Sequence, residues 1–330
     1  MKAALIITSI SPPNHVLLAC AEGCDQHGID FIVIGDRRSP PDFRLDGCDY
    51  WSIERQLDSP LALAQLLPEG HYSRKNLGYL VAMERGAEVI IETDDDNLPL
   101  ESFWEERCKV HEARRISAAG WINPYRYFSD ENIWPRGFPL EEIKNPPPIA
   151  EGTASALAPI QQGLTDGNPD VDAIYRLTQT LPITFRQELP LALGPESKAP
   201  FNSQNTTWFR DAFPLLYLPS TCSFRMTDIW RSFVAKRICA ANGWDILFHS
   251  ATVFQERNPH DLMTDFRDEI SGYLGNADIC RELESLEISP GAEQIPDGLL
   301  KCYEAFIIKG LIDKKEFSLL ESWLVSIAES

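Results

Sequence analysis

A doubly wound α/β fold is what this sequence predicts, and three observations predict it. Continuous apolar runs at Ala3–Thr8 (AALIIT), Phe31–Gly35 (FIVIG) and Val89–Glu92 (VIIE) have the length and composition of strands buried on both faces. Helical patterns stand between them. Each run stops at polar residues, which places Thr8, Ser9, Asp36 and the acidic stretch ETDDDN (92–97) at the carboxyl edge of one sheet, where such folds bind ligands.

The elements follow in order. Pro12, Pro13 and Asn14 open a helix running to about Gln26. Residues 37–60 read as loop. Tyr72–Gly86 is a second helix, with Leu77, Leu80, Val81 and Met83 on one face and Gly86 as its stop. The middle, 120–200, is rich in Pro, Asn and aromatics and reads as long loops with short strands, the kind of segment that often carries function. Met226–Gly243 is a helix, and Ile246–Phe248 and Thr252–Phe254 are short strands. From 276 onward helices near 276–287, 297–309 and 314–327 form a helical extension, so the expected division is 1–275 and 276–330. The apolar face of that tail (Leu299, Tyr303, Phe306, Leu319, Leu320, Leu324) suits packing on the domain or on a second copy of the chain.

With 330 residues, 44% of them hydrophobic, the chain can bury a large core. Its formal net charge of −19 excludes the basic footprint of a nucleic-acid binder and docking on anionic lipid by charge alone. The eight cysteines are scattered without a C-x-x-C pair, which fits free thiols better than disulfides. No apolar stretch reaches the roughly 18 residues of a membrane span. The apolar run at the N-terminus is too short for a secretory signal. A soluble, cytoplasmic protein is therefore expected.

Asp94, Asp95 and Asp96 repel one another unless something positive joins them. Carboxylates at a strand end suit a hard divalent cation, Mg²⁺ or Mn²⁺, whose remaining positions meet phosphate oxygens. This is the physics of the D-x-D motif of nucleotide-sugar enzymes, and a solvated acidic loop is the plain alternative. An EF-hand is excluded because Leu98 and Pro99 follow where its glycine belongs. Upstream, Arg74 and Lys75 begin a helix, where cations oppose the dipole, so a nearby anion is expected. Asn76 is placed to bond a ribose or sugar hydroxyl, and Gly78 lets a neighbour come close.

The run RKNLGYLVAMERGAEVIIETDDDN (74–97) resembles the STELLO-type glycosyltransferases and, more distantly, the plant reversibly glycosylated polypeptides, which are UDP-arabinopyranose mutases. Four further segments carry the resemblance in order: WPRGFP at 134–139, DVDAI at 170–174, NSQN at 202–205 and RMTDIWR at 225–231. The resemblance implies a GT-A, Rossmann-like domain with a mixed, mostly parallel sheet, a UDP-sugar donor, a hydroxyl acceptor such as a glycan, and Mn²⁺ or Mg²⁺. It implies Asp94 and Asp96 as metal ligands, completed by a histidine, His260 in preference to His249. Thr8, Ser9, Ile10, Asp36, Arg74, Asn76 and Asp95 would bind the donor, and Arg225 the diphosphate or acceptor. Asp228 would be the general base of an inverting transfer. Arg136 would clamp a phosphate or acceptor, or, as in the mutases, become glycosylated itself. A non-catalytic scaffold of the same fold is the third reading. Trp121, Tyr125, Tyr127, Trp134 and Phe138 would stack on sugars or pack the core.

Overall fold

A computed structural model describes residues 1–256 and 261–329. The expected opening is found: β1 (Ala3–Thr8), α1 (His15–His27) and β2 (Asp30–Ile34). The stretch expected as loop instead holds β3 (Asp49–Trp51), α2 (Ile53–Leu57) and α3 (Ala62–Leu66), elements too short for periodicity to register. Next come α4 (Lys75–Glu84) and β4 (Val89–Thr93). The middle supplies β5 (Asn97–Pro99), β6 (Val110–Ile116), β7 (Gly120–Trp121), β8 (Thr153–Leu157), β9 (Ile160–Asp166), α5 (Ala173–Thr178), β10 (Leu191–Leu193), β11 (Ser197–Lys198) and β12 (Asn205–Phe209). The chain ends with α6 (Thr227–Ala241), β13 (Ile246–Gln255), α7 (Leu262–Ser285), α8 (Ile295–Ile308) and α9 (Glu316–Ala328).

Eleven strands form one mixed sheet, in the order β3-β2-β1-β4-β12-β9-β13-β10-β6-β8, with β5 paired to β13. The first four are parallel. β12 then runs antiparallel to β4, with Asn205 opposite Thr93, and antiparallel to β9. The two strands expected at 246–248 and 252–254 are one strand, β13, whose pairing with β9 shifts register between His249 and Val253.

Alternation along β1 and β2 divides the core. Ala4, Ile6, Ile32 and Ile34 face the larger cluster, under α3, α4, α6, α8 and α9. Leu5, Ile7, Phe31 and Val33 face the smaller one, under α1. α4 lies close on the sheet because residue 78 is glycine: a Cβ there would stand 2.6 Å from Ile6 Cγ2. The helical tail is not a separate layer. Tyr303, Phe306, Leu320 and Trp323 are fully buried in the larger cluster, and α7 begins at Leu262, well before the expected 276. Among the described residues no helix is long and apolar enough to cross a membrane.

Candidate active site

The acidic triplet lies at the carboxyl end of β4, on the floor of a cavity of about 400 Å³. Each of the three aspartates has a different neighbour. Asp94 Oδ1 accepts from Lys75 Nζ at 3.1 Å, and the same ammonium donates to Thr93 O at 3.0 Å. Lys75 is fully buried at the start of α4, so this carboxylate is the anion its position called for. Asp95 accepts from Ser9 Oγ, while Asn14, the N-cap of α1, donates its Nδ2 to the Asp95 carbonyl at 2.8 Å. Asp96 accepts from Gln255 Nε2, at the end of β13, at 3.0 Å. Burial and the charges of Asp96 and Asp95 push the Asp94 carboxyl up to about 7, against the pull of Lys75.

The opposite wall is an ion cluster. Arg136 donates Nε and Nη2 to the two oxygens of Asp170, at 2.8 and 2.7 Å, and Nη1 and Nη2 to the two oxygens of Asp228, both at 2.9 Å. Arg136 is 5% exposed and is presented by a turn whose Gly137 has φ +88° and packs on Ile229 of α6. Asp228 also faces Ser203 N and Oγ, Tyr72 OH and the amide of Ile229, and its proton affinity is held well below the usual carboxylate range by Arg136 despite the opposing effect of burial. Among the described residues Asp170 meets only Arg136 closely through its side chain, with Arg225 Nη2 at 3.9 Å, and it lines the cavity. Arg225 is anchored by Glu269 at 2.8 Å.

A second pocket, about 250 Å³, adjoins the first and shares Thr8, Ile10, Tyr72, Asp95 and Phe224 with it. Ser9, Asp36, Arg37, Arg38, His71 and Arg74 are among the other residues of its wall. Asp36 accepts from the amides of Arg37 and Gly70, at 2.7 Å each, and so shapes the loop.

Thr8, Ser9, Ile10, Asp36, Arg74, Asp94, Asp95, Asp96, Arg136, Arg225 and Asp228 thus gather at two joined pockets. Asn76 does not: it is fully buried and exchanges hydrogen bonds with the backbone of Leu218. Arg74 touches the pocket but spends its guanidinium on Gln56 and on the carbonyls of Leu67 and Ala64, not on an anion. His249 does not line the cavity; it bonds Ser250 O, and burial lowers its pKa to about 4. His260 lies outside the described residues. The expected aromatic sugar platform is core: Tyr125, Trp134 and Phe138 are at most 4% exposed, and Trp121 and Tyr127 pack beside them. Sequence reasoning assigned no role to Tyr72, Asp170, Arg176, Ser203, Gln204 and Gln255, which line the cavity; Asp170 carried a signal in the DVDAI segment, and Ser203 and Gln204 in NSQN.

Among the described residues no three His, Cys, Asp or Glu side chains converge as a ready metal cage. Two oxygen ligands on one cavity still suit Mg²⁺ or Mn²⁺, which keep several waters and take one or two protein carboxylates plus phosphate oxygens. Five carboxylates and three guanidiniums line the cavity, an excess of negative charge that suits an added cation.

Two Arabidopsis thaliana proteins described as probable glycosyltransferases are each 28% identical to this chain, over 247 and 235 residues. These are STELLO2 and STELLO1; the matches cover 68% and 64% of this chain and 32% and 30% of theirs. Residues 225–329 match the family model of STELLO glycosyltransferases, and it is to these proteins that the chain is similar. It spans about a third of the length of the curated relatives it matches. A solved structure titled "Crystal Structure of a Mycobacterial Protein" is 10% identical with a TM-score of 0.42, covering 84% of this chain and 75% of that one.

Proposed function

We propose that this chain is a metal-dependent glycosyltransferase that moves a sugar from a UDP-sugar to a hydroxyl acceptor such as a glycan, with inversion. The observation that carries the reading is the pair of joined pockets, the larger floored by the acidic triplet and sharing Asp95 with the smaller, in a chain similar to named probable glycosyltransferases. The smaller pocket takes the nucleoside, against Thr8 and Ile10. The larger takes the diphosphate and sugar. Asp94 and Asp96 hold Mn²⁺ or Mg²⁺, which when bound offsets the charge growing on the departing diphosphate. Lys75 fixes Asp94, and Ser9 and Asn14 fix Asp95, so the floor needs little rearrangement on binding.

For the base the geometry favours Asp170 over Asp228. Asp228 is ringed by donors and holds its charge too firmly to take a proton readily, so its part is to fix Arg136. Asp170 lines the same cavity and, among the described residues, takes close side-chain hydrogen bonds from Arg136 alone. The acceptor oxygen bonds the anomeric carbon, its proton passes to Asp170, and the carbon–phosphate oxygen bond breaks with its electrons leaving on UDP. Arg136, donating on every side to Asp170, Asp228 and the Arg225 carbonyl, is suited to organising this wall and unsuited to acting as a nucleophile.

The test is UDP release from a panel of UDP-sugars offered with oligosaccharide acceptors, in Mn²⁺ and in EDTA. Release matching glycosylated product, and lost in EDTA, supports the reading; conversion of one UDP-sugar into another without release would replace it with a mutase. Asp170→Asn should cut turnover by roughly 10²–10⁴ while leaving UDP affinity unchanged.

A further inference from the structure

We infer that His71 selects the nucleobase, its Nε2–H donating to an exocyclic carbonyl of the base, so that uracil is taken and adenine refused. The inference rests on the donor-site reading above and adds a residue that reading does not use.

The argument starts from the imidazole. His71 precedes the short turn Tyr72–Arg74, and its Nδ1 accepts the Ser73 amide at 3.0 Å. An Nδ1 that accepts leaves the ring proton on Nε2. The ring is neutral, since burial lowers its pKa to about 4. Nε2 is itself buried and meets no acceptor among the described residues. A buried donor without a partner costs free energy, and one on the wall of a ligand pocket is satisfied if the ligand brings the acceptor.

The pocket supplies the shape for a planar ligand. The His71 ring lies nearly parallel to Tyr72, 6° off with centroids 5.4 Å apart, and Phe224 meets both edge-on at 5.3 and 4.7 Å. Phe224 is 49% exposed, which leaves part of its ring open to a ligand. Asp36, expected from the sequence to take the uracil or ribose, already accepts from the amides of Arg37 and Gly70. A neutral N–H does not attract phosphate as a cation would. It does match the carbonyls that uracil carries and adenine lacks.

The experiment titrates UDP and ADP, each with Mn²⁺, into the wild-type chain and two variants. His71→Asn keeps an oxygen to cap the Ser73 amide but has nothing at the Nε2 position. His71→Gln places an amide N–H near that position. The wild type should bind UDP at least about tenfold more tightly than ADP. His71→Asn should bring UDP down to the ADP level with ADP unchanged, and His71→Gln should restore much of the preference. Equal wild-type affinity for the two nucleotides, or a UDP preference that survives His71→Asn, overturns the inference and leaves the donor site standing. Binding of neither nucleotide by the wild type contradicts the functional reading and the inference with it. Equal weakening of both nucleotides in both variants would assign His71 a structural part only, which also overturns it.

Discussion

At the scale of residues, the site is a set of charges held close by other charges. On the floor of the site, burial raises the Asp94 carboxyl from 3.8 to about 7. A carboxyl raised in the folded state binds its proton preferentially there. Its contribution to stability is therefore present below the unfolded value and is lost as the pH rises through about 7. In EDTA, Asp94→Asn should remove the part of the pH dependence of the denaturation midpoint that falls between about 4 and 7; identical profiles would contradict the assigned environment. With metal present, binding below pH 7 must displace that proton, so Mn²⁺ affinity should fall as the pH is lowered through neutrality, as metal titration at a series of pH values would register. The triplet and its buried cation were legible because they lie on one short segment, and a cation at a helix start asks for an anion. The Arg136–Asp170–Asp228 cluster was not: its members stand 34 and 92 residues from Arg136, and no local pattern encodes such a meeting.

At the scale of elements, the site depends on how β4 is seated. Glu92, one residue before the end of β4, is fully buried and bonded to Arg231 of α6 at 2.7 Å, to Trp208 of β12 at 2.8 Å and to Tyr79 of α4. Three elements are thereby pinned beneath the acidic floor. Glu92→Ala leaves Arg231 buried without its partner and should cost about 3–5 kcal/mol by chemical denaturation. A loss under 1 kcal/mol would mean that the pair is not buried as described. Gly78→Ala drives a methyl into Ile6 beneath α4 and should cost about 1–3 kcal/mol, where an unstrained helical Gly→Ala would stabilise. The first parallel strands and α4 could be read from sequence because period and apolar runs agree along them. β9 could not, because its buried Gln161 and Gln162 imitate a surface strand while bonding backbone carbonyls inside.

At the scale of the whole molecule, the tail and the site are one construction. Glu316, the first residue of α9, is fully buried and accepts from Tyr217 OH and from the amides of Ser220 and Thr221. That loop leads directly to Phe224, Arg225 and Asp228. The apolar face of the tail was legible and called for a partner, but which partner was not: Tyr79, Tyr217 and Trp230, which meet it, lie far back in the chain. A chain ending at residue 285 should therefore lack fixed aromatic packing, read by near-ultraviolet circular dichroism, and cooperative unfolding of that fragment would contradict the shared core. The central claim, that the acidic floor binds a nucleoside diphosphate through a divalent ion, is tested most directly by isothermal titration of UDP in Mn²⁺, in EDTA, and into Asp94→Ala/Asp96→Ala. The account predicts binding that requires Mn²⁺ and vanishes in the double variant; UDP binding indifferent to EDTA and to both substitutions would contradict it.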